Sequence, residues 1–128
     1  MKEISIEYIL LFHQKLVERT GGSNGVRDLG LVQSALNRAS ATFDGVDLYP
    51  GTINKIVAIT VSLINNHGFI DGNKRIGVAT MLLLLRLNQI NIKYTQEELI
   101  SLGLDIASGK IDEELTKDWI EKHMENKA

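Results

Sequence analysis

The run His67-Gly68-Phe69-Ile70-Asp71-Gly72-Asn73-Lys74-Arg75-Ile76-Gly77 sets a base, an acid, an amide and two cations side by side. Apolar stretches bound it on both sides, Ile56 to Ile64 before and Val78 to Leu85 after. Each residue type suggests a task. Imidazole exchanges a proton near neutral pH, so His67 is a candidate general base for a hydroxyl nucleophile. Asp71 offers hard oxygen to Mg²⁺, which shares its shell with waters and phosphate oxygens. Gly72 brings no side chain, so a phosphate can approach the backbone. Asn73, Lys74 and Arg75 stand where a helix would begin, and the unpaired N–H groups of a first turn attract anions. Arg grips phosphate with two parallel bonds, while Lys acts as a point charge. Base, metal ligand and phosphate grip together point to phosphoryl or nucleotidyl transfer.

Two familiar alternatives are absent. A Walker A loop needs Gly-x-x-x-x-Gly-Lys-Ser/Thr, whereas Gly72 is followed by Asn73-Lys74-Arg75. No His-Glu-x-x-His zinc-protease pattern occurs. Turns and caps also use Gly, Asn and Asp, so the residues alone leave a phosphate site and a plain connector equally open.

The elements that must position these groups read as almost entirely helical. Ile6, Ile9, Leu10, His13, Leu16 and Val17 follow helical spacing, and Thr20 to Gly25 ends that helix in a loop. Asp28 caps a second helix to about Ala39, with Leu29, Val32, Ala35 and Leu36 on one face. Thr42 to Pro50 carries an Asp44-Gly45 turn signal and reads as a short hairpin or flap. Residues from about Thr52 to Asn65 and from about Asn73 to Asn88 predict two buried helices, apolar nearly all round. Asn88 to Tyr94 is a connector. Thr95-Gln96-Glu97-Glu98 has capping-box form and opens a helix to about Ser108, which Gly109 stops. Asp112 caps a last helix carrying Leu115, Trp119 and Ile120. The expectation is an all-α protein, a single compact domain over 1–128 with about six helices and a flap before the central one.

Composition narrows the partners. The net charge of −2 argues against bulk nucleic-acid binding, which needs a basic face to displace phosphate counterions; a local basic spot stays open, and no direct nucleic-acid partner is expected. Arg86 interrupts the leucine-rich run, which is too short for a bilayer, and the N-terminus lacks a signal-peptide pattern. No membrane association is expected. The absence of cysteine fits a cytoplasmic location.

The segment His67-x-Phe69-x-Asp71-Gly72-Asn73-Lys74-Arg75 closely resembles the signature of the Fic/Doc superfamily. Its Lys-containing form is similar to the Doc (death-on-curing) toxin branch. Val26 to Leu36 looks like the segment preceding the flap in Doc-like proteins, and Tyr49-Pro50 before a long apolar helix is also similar. The likeness runs from about Ile4 to Trp119. It implies the Fic/Doc helical fold, with ATP as substrate and Mg²⁺ as cofactor. It implies that His67 is the base for a protein hydroxyl and that Phe69 anchors the loop. Asp71 would hold Mg²⁺, and Gly72, Asn73, Lys74 and Arg75 would form the anion hole.

Two departures from the adenylylating Fic pattern refine the expectation. Lys74 stands where that pattern has a second Gly, and Val78 where it has a second Arg. Both match Doc-like toxins, in which the nucleotide binds in the reversed sense. The resemblance thus implies a kinase moving the γ-phosphate to a Ser or Thr of a protein, with elongation factor Tu the leading target. A Fic-type adenylyltransferase is the runner-up. A silent binding or autorepression partner is the alternative of another class; a damaged motif would mark it, and His67, Asp71, Asn73 and Arg75 are all present.

Many Fic proteins carry a Ser/Thr-x-x-x-Glu-Gly/Asn helix that silences them. The nearest local match, Glu121 to Asn126, has Glu where Ser or Thr is required. An antitoxin supplied by another chain, folding as a helix into a groove, is therefore expected. Elsewhere, His13 reads as a core or boundary residue, Trp119 as a core anchor and His123 as a solvated tail residue. Phe43 and Tyr49 read either as a target-binding flap or as loop packing. Arg27 and Asp28 read as a cap and ion pair positioning the second helix.

Overall fold

The computed structural model describes residues 1–125. Six helices follow one another: α1 (Ile6–Thr20), α2 (Leu29–Asn37), α3 (Thr52–Asn66), α4 (Asn73–Leu87), α5 (Gln96–Ala107) and α6 (Glu113–His123). A two-stranded antiparallel hairpin, β1 (Thr42–Phe43) and β2 (Val46–Asp47), projects between α2 and α3. Its turn is Asp44-Gly45, with φ of 53° and 80°, the left-handed pair that matches strand twist in a two-residue hairpin. The fold is all-α apart from this hairpin.

α3 is the central helix and packs against α2, α4, α5 and α6. That explains why its sequence is apolar on nearly every side: Ile56, Val57, Ala58, Ile59, Leu63 and Ile64 are all buried. Each such Ile or Leu contributes roughly 1.5–3 kcal/mol of burial. α4 lies against α3 and seats Ile76, Met81, Leu84 and Leu85 in the same core. α5 and α6 close the other side of this pair, with Leu102, Ile106 and Ile120. Among the described residues no helix is long and apolar enough to cross a membrane.

The caps read from sequence are in place. Asp28 accepts from Leu31 N–H, Thr95 and Glu98 form a reciprocal capping box, and Asp112 accepts from Leu115 N–H. Several details differ. α2 ends at Asn37, and Arg38–Ser40 tighten into a 3₁₀ turn before the hairpin. Leu29 is exposed, because the first turn of α2 lies beyond the α3 surface that covers Val32, Ala35 and Leu36. Leu115 is also exposed.

His123 is no solvated tail residue. Its ring stacks on Trp119 at 4.0 Å and its Nε2 lies 2.9 Å from Glu98 Oε2, tying the end of α6 to the start of α5. Asn126, the last residue of the nearest silencing match, lies outside the described residues. Phe43 and Tyr49 differ in packing. Phe43 is 76% exposed at the hairpin, while Tyr49 is half-buried against the Arg38 guanidinium. Arg38 also reaches Ser62 Oγ at 2.6 Å and Glu113 at 3.1 Å, so the hairpin base is fastened to α3 and α6.

Candidate active site

The polar hinge is the loop between α3 and α4, with the first turn of α4. His67 ends α3 in the left-handed conformation, φ 53° and ψ 45°. A β-carbon there costs about 1–3 kcal/mol, so surrounding contacts must hold it. The imidazole is exposed. Gly68 follows, and here only glycine fits: a Cβ would lie 2.6 Å from Val32 Cγ2 and 3.1 Å from the Val32 amide nitrogen. The start of α2 therefore abuts the loop directly. Phe69 is fully buried and stacks on the His13 ring, centroids 3.9 Å apart. As expected, it anchors the loop.

Asp71 is the most heavily fastened acid of the site. Its Oδ2 accepts from Ser23 N–H at 3.1 Å and its Oδ1 from Gly72 N–H at 2.7 Å. Arg75 Nη2 stands 3.5 Å from Oδ1. These N–H groups, Ser23 first, and then the Arg75 charge hold the carboxyl below its usual 3.8. The group is thus firmly ionised near neutral pH. Its carbonyl accepts from His13 Nε2 at 2.7 Å, so that nitrogen carries the proton.

Asn73 turns its side chain back on the loop, Nδ2 donating to Phe69 O and Oδ1 accepting from Phe69 N–H. It staples the loop, and its backbone amide is among the first-turn amides of α4. Gly72 sits at the N-cap with φ 77° and supplies no side-chain cap. The helical ladder begins with Ile76 N–H on Gly72 O, so the first-turn amides precede it. Lys74 is exposed at this turn. Arg75 Nη1 donates to Thr20 Oγ1 and to Gly21 O, both at 2.6 Å, tying the turn to the end of α1.

All six residues singled out in sequence, His67 and Asp71 through Arg75, line one cavity of about 340 Å³, closed by Ile64, Ile70 and Ala107. A larger groove of about 470 Å³ runs between α5 and α6, but it holds Glu97, Glu98, Asp105 and Asp118 and no base beside an open helix start. The chemistry therefore singles out the smaller cavity. Val78, at the position of the second Arg in the adenylylating pattern, is half-buried and faces Gly103 of α5.

The donors fit a hard cation shared with a phosphate. Among the described residues no cluster of three or more His, Cys, Asp or Glu could enclose a metal alone. One ionised carboxylate, its side chain 47% exposed, retains lone pairs beyond those its N–H partners use. Mg²⁺ takes one or two carboxylates and completes its shell with phosphate oxygens and water.

Sequence reasoning missed two supports of this site. His13, read from sequence as a core or boundary residue, is buried, and its bond to Asp71 O has no sequence signal. Arg27 does not pair with Asp28; its Nε donates to His67 O at 2.6 Å and its Nη2 to Asn66 O at 3.2 Å. Local spacing carries no signal for either partner, since each lies 39 or more residues away.

Residues 3–85 match the Fic/DOC family. The chain is similar to Toxin Doc of Mycolicibacterium smegmatis, 36% identical over 98 residues, covering 77% of this chain and 71% of the relative. It is also similar to Protein kinase doc of Escherichia phage P1, 28% identical over 125 residues, covering 95% of each.

Proposed function

The chain belongs to the Fic/DOC family, on its Doc branch, and from that premise we propose that it is the toxin of a toxin–antitoxin pair. Its reaction is transfer of the ATP γ-phosphate to a Ser or Thr hydroxyl of a protein. The observation that carries this reading is the open, cationic start of α4 beside His67. No side chain caps that helix, no acid occupies its first turn, and Lys74 and Arg75 stand there instead. Asp71 answers part of the Arg75 charge, while Lys74 stands exposed at the positive end of the helix, where a further anion is favoured.

In this mechanism the first-turn amides, Lys74 and Arg75 grip and orient the phosphates. Asp71 would hold Mg²⁺, which when bound supplies positive charge to the transferring phosphoryl group. His67 accepts the proton of the target hydroxyl as its oxygen bonds to phosphorus. The bond from phosphorus to the bridging oxygen breaks, and its electron pair leaves with ADP. Ile64, Ile70 and Ala107 wall the cavity and limit water.

Lys74 and Val78 favour phosphate over AMP transfer. A long cation replaces glycine at one position, and an apolar side chain replaces a phosphate-gripping Arg at the other. Elongation factor Tu is the first target to try, on the family likeness. The test is intact mass of that factor after incubation with the protein, ATP and Mg²⁺. A phosphate adduct, with label coming from the γ position alone, supports the kinase. An AMP adduct replaces it with the adenylyltransferase, and no adduct on any translation factor rejects both.

The partner in this reading is an antitoxin whose helical segment fills a groove on this protein. Co-expression with the neighbouring open reading frame tests it. Relief of growth arrest is expected; arrest of equal strength with and without the neighbour sinks the idea.

A further inference from the structure

We propose that Arg27 is a positioning residue of the transfer reaction, holding His67 in its left-handed conformation by binding the carbonyls that end α3. The inference rests on the reading of His67 as the base. The last carbonyls of a helix lack partners and carry its negative end. α3 has no basic residue in its own last turn. Arg27 arrives from another part of the chain to fill that gap, with Nε on His67 O at 2.6 Å and Nη2 on Asn66 O at 3.2 Å.

The bond to His67 O is the informative one. It fixes the peptide unit that follows the strained residue, and with it ψ of His67. The neighbouring backbone completes the clamp. Arg27 and Asp28 N–H groups both donate to Gly68 O, at 2.8 and 2.9 Å, and Ile70 N–H donates to Gly25 O at 3.1 Å. Val26 pairs with Phe69 as an antiparallel bridge. Residues 25–28 thus run as a splint along the loop that carries the base. Within that splint Arg27 supplies the contact to His67 itself.

Arg27 does not line the cavity and is exposed. Its effect on the reaction must pass through the backbone, and replacing it leaves the hydrophobic core untouched. Freed of the guanidinium, His67 relaxes toward negative φ, which favours any residue with a β-carbon. That rotation turns its Cα–Cβ bond and swings the imidazole away from the start of α4.

The experiment compares the whole wild-type protein with Arg27→Gln and Arg27→Lys in two ways. The first is steady-state phosphate transfer at varied ATP. Arg27→Gln is expected to lower kcat on the order of 100-fold, as for a misplaced catalytic group, with KM for ATP nearly unchanged. Arg27→Lys is expected to recover about a tenth of wild-type kcat, since one point charge can reach one carbonyl. The second is the ¹³Cα and ¹³Cβ chemical shifts of His67, which report its backbone conformation without any turnover. The left-handed signature is expected in wild type and lost in Arg27→Gln. An unchanged His67 signature in Arg27→Gln overturns the proposal. So does a rise in KM for ATP with kcat intact, or a kcat loss that only tracks the unfolded fraction. A wild-type protein that transfers nothing rejects the proposed function instead, and the shifts still decide the role of Arg27.

Discussion

The start of α4 and the start of α6 are built from opposite rules. α6 begins on Asp112, whose carboxylate accepts from Leu115 N–H, and Glu113 and Glu114 occupy its first turn. α5 is made the same way, with a full capping box and two acids. In both, negative groups meet the positive end of the helix, and stability alone accounts for the sequence. α4 inverts every choice. Gly72 replaces the cap, cations replace acids, and the nearest carboxylate, Asp71, is drawn off by Ser23, Gly72 and Arg75. A helix start without a side-chain cap or a first-turn acid, beside a histidine in the left-handed conformation, is the local departure from stability rules that the proposed ligand site would explain.

The comparison can be broken from either end. The largest expected effect is on chemistry: His67→Ala should lower phosphate transfer by about 10²- to 10⁴-fold with the melting temperature unmoved. A fully active variant would remove the base and the mechanism with it. Next, Asp112→Ala should cost about 1 kcal/mol in chemical denaturation while transfer per folded molecule stays at wild type. Loss of transfer there would show that α6 is tied to the site after all.

A smaller effect of opposite sign is expected at α4. Lys74→Glu should raise the stability of the ligand-free protein by about 0.3–1 kcal/mol, because an acid then meets the dipole. ATP with Mg²⁺ should raise the melting temperature of wild type and leave that of this variant unmoved. A destabilised variant that still responds to ATP would contradict the reading of this turn. The smallest effect concerns pH. Asp71 has a folded-state pKa held below 3.8, so its contribution is full above that value and fades as pH falls through the lower, folded value. The stability difference between wild type and Asp71→Asn should therefore stay constant down to about pH 3.8 and shrink below it. A difference that shrinks near neutral pH would mean that the carboxylate is not held as described.

Sequence gave up most of the architecture because its signals are local. Thr95 with Glu98, Asp28 and Asp112 announce helix starts within three or four residues, and the all-round apolar runs of α3 and α4 announce burial. The candidate site was legible as a cluster for the same reason, since His67 and Asp71 through Arg75 lie within nine positions of chain and line one cavity. What stayed hidden is partner choice across distance. Nothing near Arg27 says that its guanidinium ends α3 rather than pairing with Asp28. Nothing near His123 foretells the stack on Trp119 and the bond to Glu98. Those bonds depend on how helices dock, and docking is set by the whole core.

The ties between the hinge and the α1–α2 region bear on when the site comes into being. They span 39 to 58 residues: Asp71 to His13 and Ser23, Arg75 to Thr20 and Gly21, and Arg27 to Asn66 and His67. Closing a loop of that size costs roughly 3–4 kcal/mol before any contact repays it. During synthesis α1 and α2 emerge first, and the hinge cannot be set until α3 and α4 have docked on them. α4, already packed against α1 and α3, gains its remaining neighbour only when α5 arrives. A ribosome-bound fragment that ends within α4 therefore carries the motif's letters without its geometry, and the hinge is set only once α3, α4 and α5 have emerged and docked.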